Sequence, residues 1–177
     1  MNVEEDKVIY TRLAKKEDVP QIVSIIEEAK EVLRKGGSPQ WQEGSPNEAL
    51  ICSDIEHDYG YVLVYNQTVV GYLAMINKED EDYKILDNWK QEDNYVVIHR
   101  VAISSAYQGK GLASYFFSNI LSIALSKGYT SVRIDTHRVN VTMQKLLEKF
   151  SFIYRGIVFV ESNIDGERFA YELVMEA

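Results

Sequence analysis

The nine residues Tyr95-Val96-Val97-Ile98-His99-Arg100-Val101-Ala102-Ile103 form a nearly continuous apolar, β-branched run. A run of strand length without polar alternation predicts a central strand covered on both faces. It leads through a polar, glycine-bearing loop, residues 104–111, into a helical pattern. Leu112, Phe116, Ile120 and Ala124 make one stripe beside Ala113, Phe117 and Leu121, and Gly128 is the natural stop. A buried strand, a glycine loop and a long helix in succession leave few folds open.

The rest of the chain supplies helices and strands that interleave without strict alternation. Strands are expected at 8–13, 60–65, 68–76, 131–136, 152–160 and 168–175, with Asn66-Gln67 joining a hairpin and Asp165-Gly166 turning between the last two. Apolar spacing of i, i+3, i+4, i+7 through Ile22, Ile25, Ile26, Ala29, Val32 and Leu33 predicts a helix over 18–35, ended by Gly36-Gly37. Ser45-Pro46-Asn47-Glu48 reads as a capping box with proline at the first helical position, opening a short helix to about 56. A second short helix over 141–150 puts Met143, Leu146, Leu147 and Phe150 on one face. Residues 77–93 are charged and aperiodic apart from Leu86 and Trp89, which suggests a surface excursion with Trp89 tucked inward. This order predicts an α/β fold with a mixed sheet flanked by helices, and one domain over residues 8–177 behind a short polar extension, 1–7.

Composition narrows the function classes. The net charge of −8 argues against binding nucleic acid or an anionic membrane, both of which need clustered Lys and Arg. It is compatible with a cationic acceptor. No apolar run approaches the ~18 residues that span a bilayer, and the polar, acidic Met1–Lys7 has no leader pattern. The single cysteine, Cys52, can form no internal disulfide and has no metal-site spacing, so no metal is expected and a reduced, cytoplasmic setting is the simplest reading.

The chemistry lies in Gln108-Gly109-Lys110-Gly111-Leu112-Ala113. A helix start exposes unpaired N–H groups and the positive end of the dipole. Glycines at 109 and 111 let successive amides converge on an anion with no Cβ in the way. A pyrophosphate is the natural occupant. The Walker spacing is absent, and the dinucleotide fingerprint fails because Ser114 stands where its third glycine belongs, although Asp135 lies at a plausible distance downstream.

The hexapeptide does resemble the Q/R-x-x-G-x-G/A signature of the GCN5-related N-acetyltransferase (GNAT) superfamily. The element order is similar to that fold over nearly the whole chain. The resemblance implies a twisted, mostly antiparallel mixed sheet of about six or seven strands flanked by about four helices. It implies acetyl-CoA as acyl-donor cosubstrate and direct transfer to a primary amine of a small molecule or peptide in a ternary complex. The pyrophosphate would be held by the amides of Gln108, Gly109, Lys110, Gly111, Leu112 and Ala113, with Ser114 next to them. The pantetheine arm would pair with the edge of Val101, Ala102 and Ile103, and meet Asn140 and Met143 at the start of the later helix.

At neutral pH only about one alkylamine in 10³ is unprotonated, a cost of ~4 kcal/mol, so a base is the first requirement. His99 is the first candidate, because period-two alternation would put it on the face of Val101 and Ile103. Histidine stands at the matching position in the arylalkylamine acetyltransferases, a similar family. His137, paired with Asp135, is a second candidate, although a loop histidine there more often faces solvent. His57 is expected at the surface. The resemblance assigns the Ile103 N–H to the developing oxyanion. Two departures stand out: Leu147 occupies the place of the family's tyrosine acid, and Ser151 replaces a glycine before Phe152.

Trp41, Gln42, Asp54, Tyr61 and Tyr72 lie on the segments that line the acceptor side of that fold. Their aromatic rings and carboxylate could hold an apolar or cationic body. A homodimer is compatible with the sequence but not dictated by it. A non-catalytic acyl-CoA sensor and a nucleotide-binding regulatory domain are the competing readings.

Overall fold

The computed structural model describes residues 7–90, 93–160 and 165–175. The N-terminal extension therefore lies outside the described residues except for Lys7. The elements are β1 (Ile9–Leu13), α1 (Val19–Lys35), α2 (Glu48–Glu56), β2 (Gly60–Tyr65), β3 (Thr68–Ile76), β4 (Tyr95–Ile103), α3 (Leu112–Ser126), β5 (Ser131–Thr136), α4 (Val141–Lys149), β6 (Ile153–Phe159) and β7 (Glu167–Val174). Single 3-10 turns sit at Lys16–Asp18, Glu81–Tyr83 and Ser105–Tyr107.

The strands form one seven-stranded sheet in the order β1-β2-β3-β4-β5-β7-β6. Every pairing is antiparallel except β4 with β5. This is the mixed, mostly antiparallel α/β architecture expected from the sequence. The turn between β6 and β7 is closed by the Val160 N–H donating to the Gly166 carbonyl at 2.9 Å; residues 161–164 of that turn lie outside the described residues.

Two layers cover the sheet. On one face Phe116, Phe117, Ile120 and Ala124 of α3, with Leu147 of α4, pack against Val96, Ile98, Val132 and Ile134. On the other, Ile22, Ile25, Ile26 and Ile51 of α1 and α2 pack against Val62, Val64, Tyr72 and Ala102. Farther along that face, Val97, Val158 and Ala170 form a patch outside the α1–α2 cluster. The 77–93 excursion covers it, with Tyr83, Leu86 and Trp89 packing on Val97, Val158 and Ala170. The sequence lacks helical periodicity there because a 3-10 turn and inserted rings do the covering. Trp89 donates its indole N–H to the Tyr83 carbonyl at 3.1 Å, and the Arg133 guanidinium lies over the rings of Trp89 and Tyr95 at 4.3 and 3.6 Å.

The start of α2 differs from expectation. Asn47, not Ser45, is the cap: its side chain accepts from the Leu50 N–H at 3.0 Å. Pro46 therefore precedes the helix, joined to Ser45 by a cis peptide bond. Asparagine caps as well as serine does, so two good caps two residues apart leave the start ambiguous in the sequence.

Candidate functional site

The site begins where two parallel strands part. β4 and β5 pair only over Tyr95, Val96 and Val97 against Ser131, Val132 and Arg133. Beyond Val97 they splay, and a cleft of about 840 Å³ opens between them and continues to α1, α4 and the 38–47 loop. All of Ile98 to Ile103 lines it from one side and Ile134, Asp135 and Thr136 from the other. The glycine loop stands at one end. Gly109 and Gly111 both have φ of +74°, and a Cβ at either would meet no protein atom within 4 Å. The first backbone bond to the loop is Tyr115 N–H to the Gly111 carbonyl at 3.1 Å. The amides of residues 109–114 make no backbone bond among the described residues and are free for a ligand.

The loop is braced from α1. One oxygen of Glu28 accepts from the Ser105 N–H at 2.7 Å, the Ser105 hydroxyl at 2.8 Å and the Ser104 hydroxyl at 3.2 Å. Burial opposes the charge on Glu28, but these donors outweigh it and hold its carboxyl below the usual value. Across the mouth, Lys149 of α4 donates to the Ser114 hydroxyl at 2.8 Å, and Lys145 lines the cleft one turn earlier. These two cations were not foreseen. Their i, i+4 spacing on a helix facing the loop was the available signal. Asn140 caps α4 by accepting from the Met143 N–H at 3.2 Å, and both residues line the cleft. The donor amide of Asn140 is left for a ligand.

The expected orientation of His99 is corrected by a bulge. Tyr72 pairs with Ala102 but Ala74 pairs with His99, so Leu73 faces both Arg100 and Val101. Arg100 takes a φ of +58°. The extra residue interrupts the period-two alternation, and His99 ends on the face opposite Val101 and Ile103. It lines the cleft from there. Its Nε2 lies 3.3 Å from an Asp80 oxygen, brought in by the excursion. Burial would raise the Asp80 carboxyl; the bond to His99, its charge and the Asp82 N–H together hold it below the usual value. Behind them, Asp135 accepts from the Tyr83 hydroxyl at 2.7 Å. Burial nonetheless raises its carboxyl above the ordinary range, against the pull of His99, Tyr83 and Arg168.

The Ile103 N–H faces the gap between β4 and β5. The Ser104 N–H donates to the Val70 carbonyl of β3 at 2.8 Å, so the alternating pattern turns the Ile103 N–H away from β3, toward the gap. Thr136 contributes a second polar group. Its hydroxyl is buried, lines the cleft and has no hydrogen-bond partner among the described residues.

Several expected site residues lie elsewhere. His137 is 1% exposed. Its Nε2 donates to Asp165 at 2.9 Å and its Nδ1 accepts from the Val139 N–H at 3.3 Å. It is thus neither solvent-facing nor paired with Asp135, both ring nitrogens are committed, and it does not line the cleft. Asp54 and Tyr72 are buried in a closed network: Arg100 donates to both Asp54 oxygens at 2.9 and 2.7 Å, and the Tyr72 hydroxyl donates to one at 2.6 Å. Burial and the charge of Asp54 push the Tyr72 hydroxyl up. Tyr61 is buried in the α3-side core. Trp41 does line the cleft, whereas Gln42 turns to the Lys30 and Gln40 carbonyls and Gln40 lines it instead. His57 lies outside the cleft, as expected, bonded through Nδ1 to the Ser53 carbonyl at 2.8 Å. Asp80 and Arg168 are cleft residues that the sequence did not reveal.

The sheet is thus split, and the gap runs from a glycine loop with free amides to a histidine. The model of the acetyltransferase (GNAT) family matches residues 22–152, and the chain belongs to that family. An acetyltransferase of the GNAT family from Streptococcus agalactiae is 34% identical, covers 96% of each chain and superimposes with a TM-score of 0.85. The structure of yncA from Salmonella typhimurium with acetyl-CoA has the same fold, with a TM-score of 0.71 at 18% identity over 96% of this chain and 95% of that one. N-acetylaspartate synthetase from Xenopus tropicalis is 31% identical over 113 residues, 60% of this chain and 37% of the relative. The chain thus spans well under half the length of the curated relatives it matches.

Proposed function

We propose that this protein transfers an acetyl group from acetyl-CoA to a primary amine of a small molecule or peptide, by direct attack with both substrates bound. The observation that carries this reading is the continuity of the cleft, which joins the free amides of residues 109–114 to His99 and the Ile103 N–H. The residues fit the cosubstrate. The glycine loop suits its pyrophosphate, Lys145 and Lys149 add positive charge, and the open edge of β4 suits its extended arm. The Salmonella protein solved with acetyl-CoA supports that choice of donor, and the N-acetylaspartate synthetases support a small acceptor.

His99 takes a proton from the acceptor ammonium, and Asp80 holds the ring in place and steadies its positive charge. The freed nitrogen attacks the thioester carbonyl carbon while the Ile103 N–H donates to its oxygen. A C–N bond forms, the C–S bond breaks, and the nitrogen passes its second proton to water, since His99 still holds the first. Leu147 is fully buried in the core, so no acid acts from that position. A thiol pKa near 8.5 lets the sulfur leave as thiolate and take its proton from water.

Thiol release from acetyl-CoA against amino acids, polyamines, arylalkylamines, aminoglycosides and peptide N-termini tests the reading. Amine-dependent release is the expected result. Tight acetyl-CoA binding with no release from any amine would favour the sensor, the reading that the buried Leu147 keeps alive.

A further inference from the structure

Among the cationic side chains of the cleft, Arg168 stands apart. Arg100 is neutralised by Asp54, and Lys149 is bonded at the phosphate end. Arg168, the second residue of β7, is 2% exposed and lines the cleft. Its Nη1 donates to the Asp165 and Glu167 carbonyls at 2.7 and 2.8 Å. Those bonds anchor the group but leave its charge unmatched. Its Nε and Nη2 make no hydrogen bond among the described residues, and no carboxylate there forms an ion pair with it. Asp135 and Asp165 act on it only through space, and burial lowers its pKa. A cation taken out of water is normally matched by an anion in contact.

The placement of that charge is informative. Asp135 pairs with Ala170 across β5 and β7, so Arg168, two residues before Ala170, lies on the face of Asp135. Asp135 in turn feels both His99 and Arg168. One face of the open cleft therefore carries a base flanked by carboxylates and, beyond Asp135, a guanidinium with no carboxylate in contact among the described residues. An ammonium is favoured at the first and an anion at the second. A single free guanidinium edge presents two parallel donors, which matches a planar carboxylate better than a doubly charged phosphate.

We propose that the acceptor is an amino carboxylate, with its amine at His99 and its carboxylate on the Nε–Nη2 edge of Arg168. The assignment of its amine rests on the acetyltransferase reading; the carboxylate subsite does not need turnover to be observed.

The test uses the intact protein loaded with CoA. Binding of amino acids and of their carboxamides is measured by calorimetry, and thiol release from acetyl-CoA is measured with the same pairs. The carboxamide keeps the amine and removes only the negative charge. The wild type should prefer the carboxylate by roughly 10²-fold in both binding and kcat/KM. Arg168→Met should erase the preference with acetyl-CoA affinity unchanged, and Arg168→Lys, which keeps the charge and loses the fork, should retain about a tenth of it. If Arg168→Met does not fold, the wild-type preference and the lysine variant still decide. Equal use of carboxamides, a better fit for phosphoethanolamine, an unchanged preference in either variant, or no binding of any amino acid would overturn the proposal. Acetylation of plain alkylamines alongside such a result would leave the transferase reading standing. Amino-acid binding without thiol release would sink that reading and leave the subsite.

Discussion

The two ends of the β4–β5 pair use polar residues in opposite ways. At the closed end, Tyr95 to Val97 are paired to β5, and the buried carboxylate beside them has close donors. Glu172 accepts from Arg155 at 2.7 Å, from the Lys90 N–H at 2.8 Å and from the Ser131 hydroxyl at 3.1 Å. Arg133 is sandwiched between aromatic rings. At the open end the strands part, and the Thr136 hydroxyl, the Ile103 N–H and an edge of Arg168 are left facing a cleft. Closed networks hold a sheet together, whereas unsatisfied groups along a gap wait for a ligand. The contrast makes the open end the working half of the molecule.

Substitutions at the two ends should therefore fail differently. Glu172→Ala removes the buried carboxylate shared by Arg155, the Lys90 N–H and the Ser131 hydroxyl, and a loss of about 2–4 kcal/mol of stability is expected in denaturant unfolding, with kcat of the folded fraction unchanged. A stable variant would show that the closed end is not held by this carboxylate. His99→Ala should do the reverse, lowering turnover at least about 10²-fold with little change in melting temperature or CoA affinity. An unchanged rate would remove His99 from the mechanism. Asp80→Asn, which keeps the shape but not the charge beside His99, should cost less, about tenfold in kcat/KM, and an unchanged rate would show that the carboxylate does not assist the histidine.

Gly111→Val tests the loop. A β-branched residue at φ near +74° is strained by about 1–3 kcal/mol. The loop would relax by moving its amides, so acetyl-CoA should bind some 10- to 100-fold more weakly by titration. Retained affinity would mean that the phosphates lie elsewhere. The smallest effect concerns Asp135. Burial raises its folded-state pKa above the unfolded value, so its charged form opposes folding. That penalty is absent at low pH and grows as the pH climbs past about 4. Asp135→Asn keeps an acceptor for Tyr83 and should gain about 1 kcal/mol or less at pH 7 and nothing at pH 3. Equal shifts at both pH values would contradict the assignment of the penalty to this carboxyl.

Local features were legible. The ends of β2, β3, β4 and β5, the α3 stripe and the phosphate loop follow from apolar period and glycine placement, which act over a few residues. The bulge at Arg100 was not legible, because it arises from Leu73 of β3 facing two residues of β4. The Asp54–Arg100–Tyr72 network was not legible either. Its members are 46 and 18 residues apart, and an acidic residue on a short helix looks solvated until its partner is known. The same holds for Asp80, which reads as one charge among many in an aperiodic segment.

By itself the sequence determined the order of strands and helices and the glycine loop that opens α3, since each is written in the spacing of neighbouring residues. Only the tertiary structure decided which side chains meet the cleft. It closed off His137, Asp54 and Tyr72, turned His99 toward Asp80 and left Arg168 without a contact counter-ion. The physical reason is that burial and pairing are properties of two segments brought together, and neither segment carries them alone.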